Sequence, residues 1–235
     1  INHKVKLFAN IYSSFKTPTL YQLFDAYAGN PDLKAEKSSL FETGAELFAG
    51  PGFRTRLVYF NRNTKDAIQF VTINPSTYES RYININRQKN EGAEWEGEYK
   101  TGSWSLTANY TYTSGKTISS YDETGSKLNS DTSYNNLYRI PKHVFNFSAG
   151  MNVTKKLFVR ADLKTVGKRL EPVYGAAPET LNSYYTIGVY GGYRFSKKWS
   201  LFLDLKNITN QQYFDILGYN SRKFNFMTGF TLNLP

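Results

Sequence analysis

The sequence predicts an all-β fold, a transmembrane antiparallel β-barrel, on three observations. Apolar and polar residues alternate with a period of two in segment after segment, as successive strand side chains point to opposite faces. The segments run to about ten residues, the length that a tilted strand needs to cross a bilayer. Short and long connections also alternate, the pattern of a barrel with tight turns at one rim and loops at the other.

The elements follow in order. Val5, Leu7, Ala9 and Ile11 oppose Lys4, Lys6, Phe8 and Asn10 in the first strand. Phe41, Thr43, Ala45 and Leu47 oppose Glu42, Gly44 and Glu46 in the second, and Phe53, Thr55, Leu57 and Tyr59 oppose Arg54 and Arg56 in the third. Ala93, Trp95, Gly97 and Tyr99 alternate with Glu94, Glu96 and Glu98. The fifth segment, SWSLTANYTYTSG, sets Trp104, Leu106, Ala108, Tyr110 and Tyr112 against Ser105, Thr107, Asn109 and Thr111. Five more segments centre on Phe147, Val159, Val189, Leu203 and Phe226, which makes about ten strands.

Tight turns are expected at GPG (50–52), KTGS (100–103), VTKK (153–156) and FSKK (195–198), and long loops at 15–36, 66–80, 115–137, 169–182 and 209–221. No low-complexity tract divides residues 1–235, so one domain is expected.

A soluble β-sandwich also shows period two. Against it stand the strand length, the repeated charges on the polar faces and an aromatic content of 17% with many rings at strand ends, among them Trp199 after Lys197 and Lys198 and Phe158 after Lys155 and Lys156. Tyr and Trp favour the membrane interface, where the ring sits among headgroups and the polar tip stays wet. The apolar face is therefore expected to touch lipid. The absence of Cys excludes disulfides and thiolate metal sites. The net charge of +10 is scattered rather than gathered in a stripe, which disfavours nucleic acid. A chain beginning at Ile1 without Met is read as mature, processed or partial.

The first long loop, SSFKTPTLYQLFDAYAGNPDLKAEKS, resembles a segment of TonB-dependent outer-membrane receptors through Phe15, Lys16, Pro18, Leu20, Leu23, Phe24, Gly29, Asn30, Pro31, Leu33 and Glu36. NEGAEWEGEY is similar to the family's N-x-G-x-E-x-E strand through Asn90, Gly92, Glu94 and Glu96, and LKNITNQQY resembles its penultimate-strand element through Asn207 and Tyr213. The resemblance implies about ten C-terminal strands of a larger, roughly 22-stranded plugged barrel. It implies an outer-membrane receptor that imports a scarce micronutrient using TonB. Cobalamin is the first expectation and a ferric siderophore the alternative. Haem is disfavoured, since no His lies between the two boxes of the first loop. The implied partners are outer-membrane lipid and lipopolysaccharide, an N-terminal plug with the remaining strands, TonB through that plug, the micronutrient and a surface lipoprotein.

The inward charges Glu42, Glu46, Arg54, Arg56, Arg160 and Lys164 are read as pairing with one another and with the plug, because buried charge needs a partner. Cargo recognition is assigned to loop aromatics: Tyr21, Phe24, Tyr27, Tyr78, Tyr121, Tyr134, Tyr174 and Tyr219. Tyrosine offers contact area and a hydrogen bond with few torsions to freeze. Tyr82, Tyr138 and Tyr174 are the aromatics best suited to a girdle instead. No cofactor, metal or catalytic group is expected. The competing reading is a self-contained small barrel, a porin, adhesin or protease. The protease would need His143 beside Asp131 or Asp122.

Overall fold

The computed structural model describes residues 4–74, 76–121, 127–134, 137–173 and 176–233. The chain runs β1 (Val5–Lys16), α1 (Leu20–Phe24), β2 (Glu36–Ala49), β3 (Phe53–Asn74), β4 (Glu79–Thr101), β5 (Trp104–Tyr121), β6 (Lys127–Tyr134) and β7 (His143–Asn152). It continues through β8 (Leu157–Val166), β9 (Arg169–Val173), β10 (Ala176–Leu181), β11 (Tyr184–Arg194), β12 (Trp199–Lys206) and β13 (Asn225–Leu232). The main sheet is an antiparallel meander ordered β1-β2-β3-β4-β5-β7-β8-β11-β12-β13, whose ten strands coincide with the ten alternating segments. β6 extends β5, and β9 with β10 form a separate hairpin. Among the described residues β1 pairs only with β2, and β13 only with β12, so the sheet is open at both edges.

The registers turn sequence alternation into two surfaces. One row of Cα partners crosses nine strands as Ala49, Phe53, Tyr99, Leu106, Ala149, Ala161, Val189, Leu205 and Phe226. The opposite face carries the row Lys6, Glu46, Arg56, Glu96, Asn109, Asn146, Lys164 and Thr186. Among the described residues nothing packs over the apolar face: Ile11 is 83% exposed, and Leu7, Leu57, Phe226 and Phe230 are exposed with it. A contiguous apolar face of that extent needs lipid or another apolar surface. The polar face becomes the lumen.

On the lumenal face, four aromatic rings lie over glycines of the neighbouring strand. An added Cβ would meet the ring of Phe8 at Gly44, Phe60 at Gly92, Phe158 at Gly150 and Phe202 at Gly229, each at 2.6–2.8 Å. Phe158 was expected in the lipid-side girdle on the strength of its position near Lys155 and Lys156. It points inward, because its parity is that of Arg160, and it packs near Tyr190 at 6.2 Å.

The four tight turns form where predicted. At GPG, Gly50 and Gly52 take φ of 68° and 99°, the left-handed region that suits glycine. The long connections differ from expectation. Most of 66–80 is strand, because β3 and β4 stay paired up to Asn74 and Glu79. The 115–137 stretch contains the far half of β5 and β6, and 169–182 folds as the β9–β10 hairpin. Above the bilayer both faces of a hairpin meet water, so pairing continues after the one-sided apolar signal has stopped.

Candidate functional site

The loop rim is built by side chains that tie irregular backbone to strands. Thr19 caps α1: its Oγ1 accepts from Gln22 N at 3.2 Å, and Gln22 Oε1 accepts from Thr19 N at 2.9 Å. This reciprocal box starts the helix immediately after half-buried Pro18. The Asp25 carboxylate then accepts from the Tyr27 and Ala28 amides and turns the chain. Gly29 follows where a Cβ would come 2.5 Å from the Asp25 carbonyl, so the close approach requires glycine.

Asn30 joins this loop to the β3–β4 hairpin. Its Nδ2 donates to the Tyr82 carbonyl at 2.9 Å, and its Oδ1 accepts from Asp32 N at 3.1 Å and Arg81 Nη2 at 3.3 Å. Beyond Pro31 and Leu33, Asn84 accepts from Lys34 N and donates to the Lys34 and Asp66 carbonyls. Glu36 closes the loop by accepting from Ile68 N at 2.9 Å and pairing with Lys16 at 3.4 Å. Tyr82, expected as a girdle residue, instead sits beneath the loop between Tyr21 and Phe70. Strapped down in this way, the loop presents Tyr21, Phe24 and Tyr27 to solvent, at 64%, 68% and 92% exposure.

A second tie holds the 207–224 loop. Asn207, at φ 50°, accepts from Gln211 N and donates to the carbonyls of Gln211 and Arg222. Tyr213 stacks on Tyr184 with ring centres 3.9 Å apart. The Tyr184 hydroxyl donates to Asp215 at 2.7 Å, and Arg169, whose side chain is 3% exposed, donates to the Phe214 carbonyl and pairs with Asp215 at 3.4 Å. Burial first, then the Asp215 carboxylate, raise the Tyr213 phenol above its ordinary range. Arg139 fixes the β9–β10 hairpin by two hydrogen bonds to buried Glu171, at 2.6 and 2.8 Å.

The other expected recognition residues are dispersed. Tyr78 is at the tip of the β3–β4 hairpin with φ 58°, Tyr121 ends β5, and Tyr219 is exposed in the 207–224 loop. Tyr134 ends β6, while its side chain and Tyr174 lie outside the described residues.

On the lumenal wall, Glu46 pairs with Arg54, which also reaches Glu98 at 3.5 Å. Glu42 accepts from the Tyr12 hydroxyl at 3.2 Å, and Arg56 lies over the Phe8 ring at 5.0 Å. Arg160 pairs with Asp162 at 3.0 Å, and Lys164 lies opposite Asn146 and Thr186. Asn90, Gly92, Glu94 and Glu96 all project to this same face, since they are two residues apart on β4. Gly92 is where the Phe60 ring lies down. A lumenal groove of about 490 Å³ joins Arg160, Asp162 and Lys164 to Asn207 and Tyr213.

The Asp–His arrangement does not form. His143 pairs with Tyr112 on the lipid-side face and bonds the Tyr110 hydroxyl through Nδ1 at 2.7 Å. Asp131 is on β6, which meets β5 at Thr117–Tyr121, roughly 25 Å further along at ~3.4 Å per residue. Asp122 lies outside the described residues. Among the described residues no group of three His, Asp or Glu side chains could hold a metal ion.

The sequence reading singled out motif residues but not what they hold. Asp25, Asn84, Arg169, Glu171, Tyr184 and Asp215 were passed over. The signal available was Asn or Asp beside Gly and Pro in a loop, the composition of side chains that bond local backbone.

Comparison with known proteins places these features. Residues 1–208 match the family described as TonB dependent receptor-like, beta-barrel. The iron-regulated outer membrane virulence protein of Vibrio cholerae serotype O1 is 29% identical over 160 residues, covering 63% of this chain and 23% of that protein. Among solved structures, the ferric enterobactin receptor PfeA of Pseudomonas aeruginosa (mutant G324V) gives a TM-score of 0.73 at 22% identity over 99% of this chain and 38% of that one. The siderophore receptor PirA of Acinetobacter baumannii gives 0.73 at 20% identity, with 99% and 39% covered. The copper transporter OprC gives 0.79 at 16% identity, with 99% and 37% covered. This chain thus spans less than two-fifths of each of these relatives. Its lipid-facing row, lumenal charges and strapped loops are the wall and rim of such a barrel, and the chain belongs to the TonB-dependent receptor-like β-barrel family of the outer membrane.

Proposed function

We propose that this chain forms the C-terminal wall and loops of an outer-membrane receptor that imports a ferric siderophore, energised by TonB through a plug. The carrying observation is the aromatic ledge Tyr21, Phe24 and Tyr27, held rigidly by the Asn30 and Asn84 ties beside Arg81. Exposed aromatic rings suit the aryl faces of a siderophore that wraps octahedral ferric iron in catecholate rings. The iron- and siderophore-related names of the relatives favour this alternative over cobalamin, the first expectation from sequence.

In this reading Glu42, Glu46, Arg54, Arg56, Arg160 and Lys164 form the polar lining against which the plug seats, and TonB acts through the plug. Lipopolysaccharide surrounds the apolar face, and a surface lipoprotein is a further partner that the rim allows.

The test is tryptophan fluorescence of the complete receptor titrated with ferric catecholate, ferric hydroxamate and cyanocobalamin. Saturable quenching by a ferric siderophore, weakened by Tyr27→Ala, is expected. Saturation by cobalamin with no response to either ferric siderophore would overturn the assignment.

A further inference from the structure

A cavity of about 320 Å³ lies at the loop rim, between β5 and the β9–β10 hairpin. Segment 137–142 crosses between them and is hydrogen-bonded on both sides. Thr113 N of β5 donates to the Lys142 carbonyl at 2.9 Å, and Arg139 N donates to the Leu170 carbonyl of β9 at 2.7 Å. Tyr138 and Leu170 also form a parallel bridge, and the Arg139 side chain pairs with Glu171 on the same strand. Leu137 lies against β5 because residue 115 is glycine: a Cβ there would come 2.5 Å from Leu137 Cδ1. Backbone bonds thus frame the cavity and hold it formed before any ligand arrives.

Strand parity sets the direction it faces. Thr113 and Gly115 are four and six residues beyond Asn109 on β5, so they continue the lumenal row. The cavity is therefore on the inner side of the rim, away from lipid.

The lining is chemically one-sided. Leu137, Ile140 and Leu170 supply aliphatic surface, and Thr113 and Thr180 supply hydroxyls. No carboxylate and no aromatic ring is among the described lining residues. Lys142 and Lys168 line it as well, and neither forms an ion pair among the described residues. Arg169 contributes to the wall, but Asp215 balances its charge. The uncompensated charge is thus two ammonium groups over an aliphatic hollow.

That combination selects a ligand chemistry. Two cations without an acid favour an anion. Aliphatic walls without rings favour a saturated carbon body over an aryl one. The volume of about 320 Å³ far exceeds that of a small inorganic ion, since one water takes about 30 Å³.

We infer that this cavity is a binding site for a short aliphatic carboxylate. Lys142 and Lys168 engage its carboxyl groups, and Leu137, Ile140 and Leu170 pack on its carbon chain. The site is separate from the ledge of Tyr21, Phe24 and Tyr27, which stands on the first loop and offers rings. Its occupant is either a free acid or an aliphatic carboxylate arm of the cargo, and only the second source rests on the siderophore reading.

The test is calorimetric titration of the complete receptor in mild detergent with adipate. Saturable binding is expected, at least tenfold weaker in the double variant Lys142→Gln, Lys168→Gln and unchanged in Tyr27→Ala. Both lysines are exposed, so the double variant should fold, and heat-dependent mobility on gel checks that it has. Ile140→Trp narrows the cavity without changing its charge and is expected to weaken adipate at least tenfold. Absence of saturable adipate binding, or equal affinity in the double variant, would overturn the proposal. So would inorganic phosphate or benzoate binding as tightly as adipate, the first marking a site for any anion and the second an aryl site. A ferric chelate with a free aliphatic carboxylate, compared with its amide, separates the two sources. At least tenfold weaker binding of the amide assigns the cavity to an arm of the cargo, and equal binding assigns it to a free acid. Adipate carries neither iron nor a ring, so its result stands or falls independently of the siderophore reading.

Discussion

Replacing Gly229 by alanine isolates the contribution of one lumenal ring. Gly229 of β13 is the Cα partner of Phe202 on β12. An added Cβ would come 2.6 and 2.8 Å from two Phe202 ring carbons, and the third neighbour, at 3.6 Å, is also on that ring. No backbone atom obstructs it, and its φ is not in the left-handed region. The ring cannot simply rise, because it stacks near Tyr190, which Arg160 covers in turn. Overpacking of this kind costs about 1–3 kcal/mol, set against ~0.4–1 kcal/mol gained because alanine restricts the unfolded chain. A net loss of about 1–2 kcal/mol is expected for Gly229→Ala. With Phe202→Leu in place the same change should be neutral or stabilising, a coupling of ~1–2 kcal/mol. The assay is urea unfolding of the complete receptor in lipid vesicles, followed by tryptophan fluorescence. Gly44→Ala is the internal control. There the Cβ would also come 2.5 Å from the Leu57 carbonyl, so Phe8→Leu should rescue little. The same loss at Gly229 with and without Phe202 would refute the ring as the cause.

Further outcomes follow from the loop ties. Asn30→Ala removes three hydrogen bonds to Tyr82, Asp32 and Arg81. At ~0.5–1.5 kcal/mol each, the first loop should become cleavable by protease near Tyr27 while the barrel stays intact on gel. Arg139→Met leaves the buried Glu171 carboxylate without its cation. A loss of about 3–5 kcal/mol in local stability is expected, visible as faster amide exchange confined to the β9–β10 hairpin. The raised phenol of Tyr213 contributes stability that is complete below the unfolded tyrosine value and fades as pH climbs through the folded value. Alkaline titration at 295 nm should count one fewer late-titrating tyrosine in Tyr213→Phe than in the wild type, with the 207–224 loop loosening over the same pH range.

The barrel strands were legible because each has one face in lipid, and that asymmetry writes period two into Trp104 to Tyr112 or Phe145 to Met151 without ambiguity. The signal ended where lipid ended. Residues 66–80 carry Ile68, Phe70, Val71 and Ile73 with no consistent side, so a loop was expected where β3 and β4 remain paired. The site was legible as motif and opaque as mechanism. Pro18, Gly29, Asn30 and Asn207 stood out through the family resemblance, yet the contacts of this loop and of Asn207 reach Tyr82, Asp25 and Arg222, partners that a motif does not reveal. Phe158 shows the reverse limit: proximity to lysines suggested a girdle, whereas parity put it in the lumen.

The apolar row that crosses nine strands also acts as a ruler during assembly. A slip of one residue between neighbours would turn every side chain to the wrong face, so it is forbidden outright. A slip of two keeps the faces but shifts a strand by about 6.8 Å, which would draw Lys89 down toward hydrocarbon or pull Phe53 and Tyr99 up from the interface near the tight turns. Each strand thus carries marks at both ends of its membrane passage, and a newly added strand is admitted only at the one offset where both agree with its neighbour.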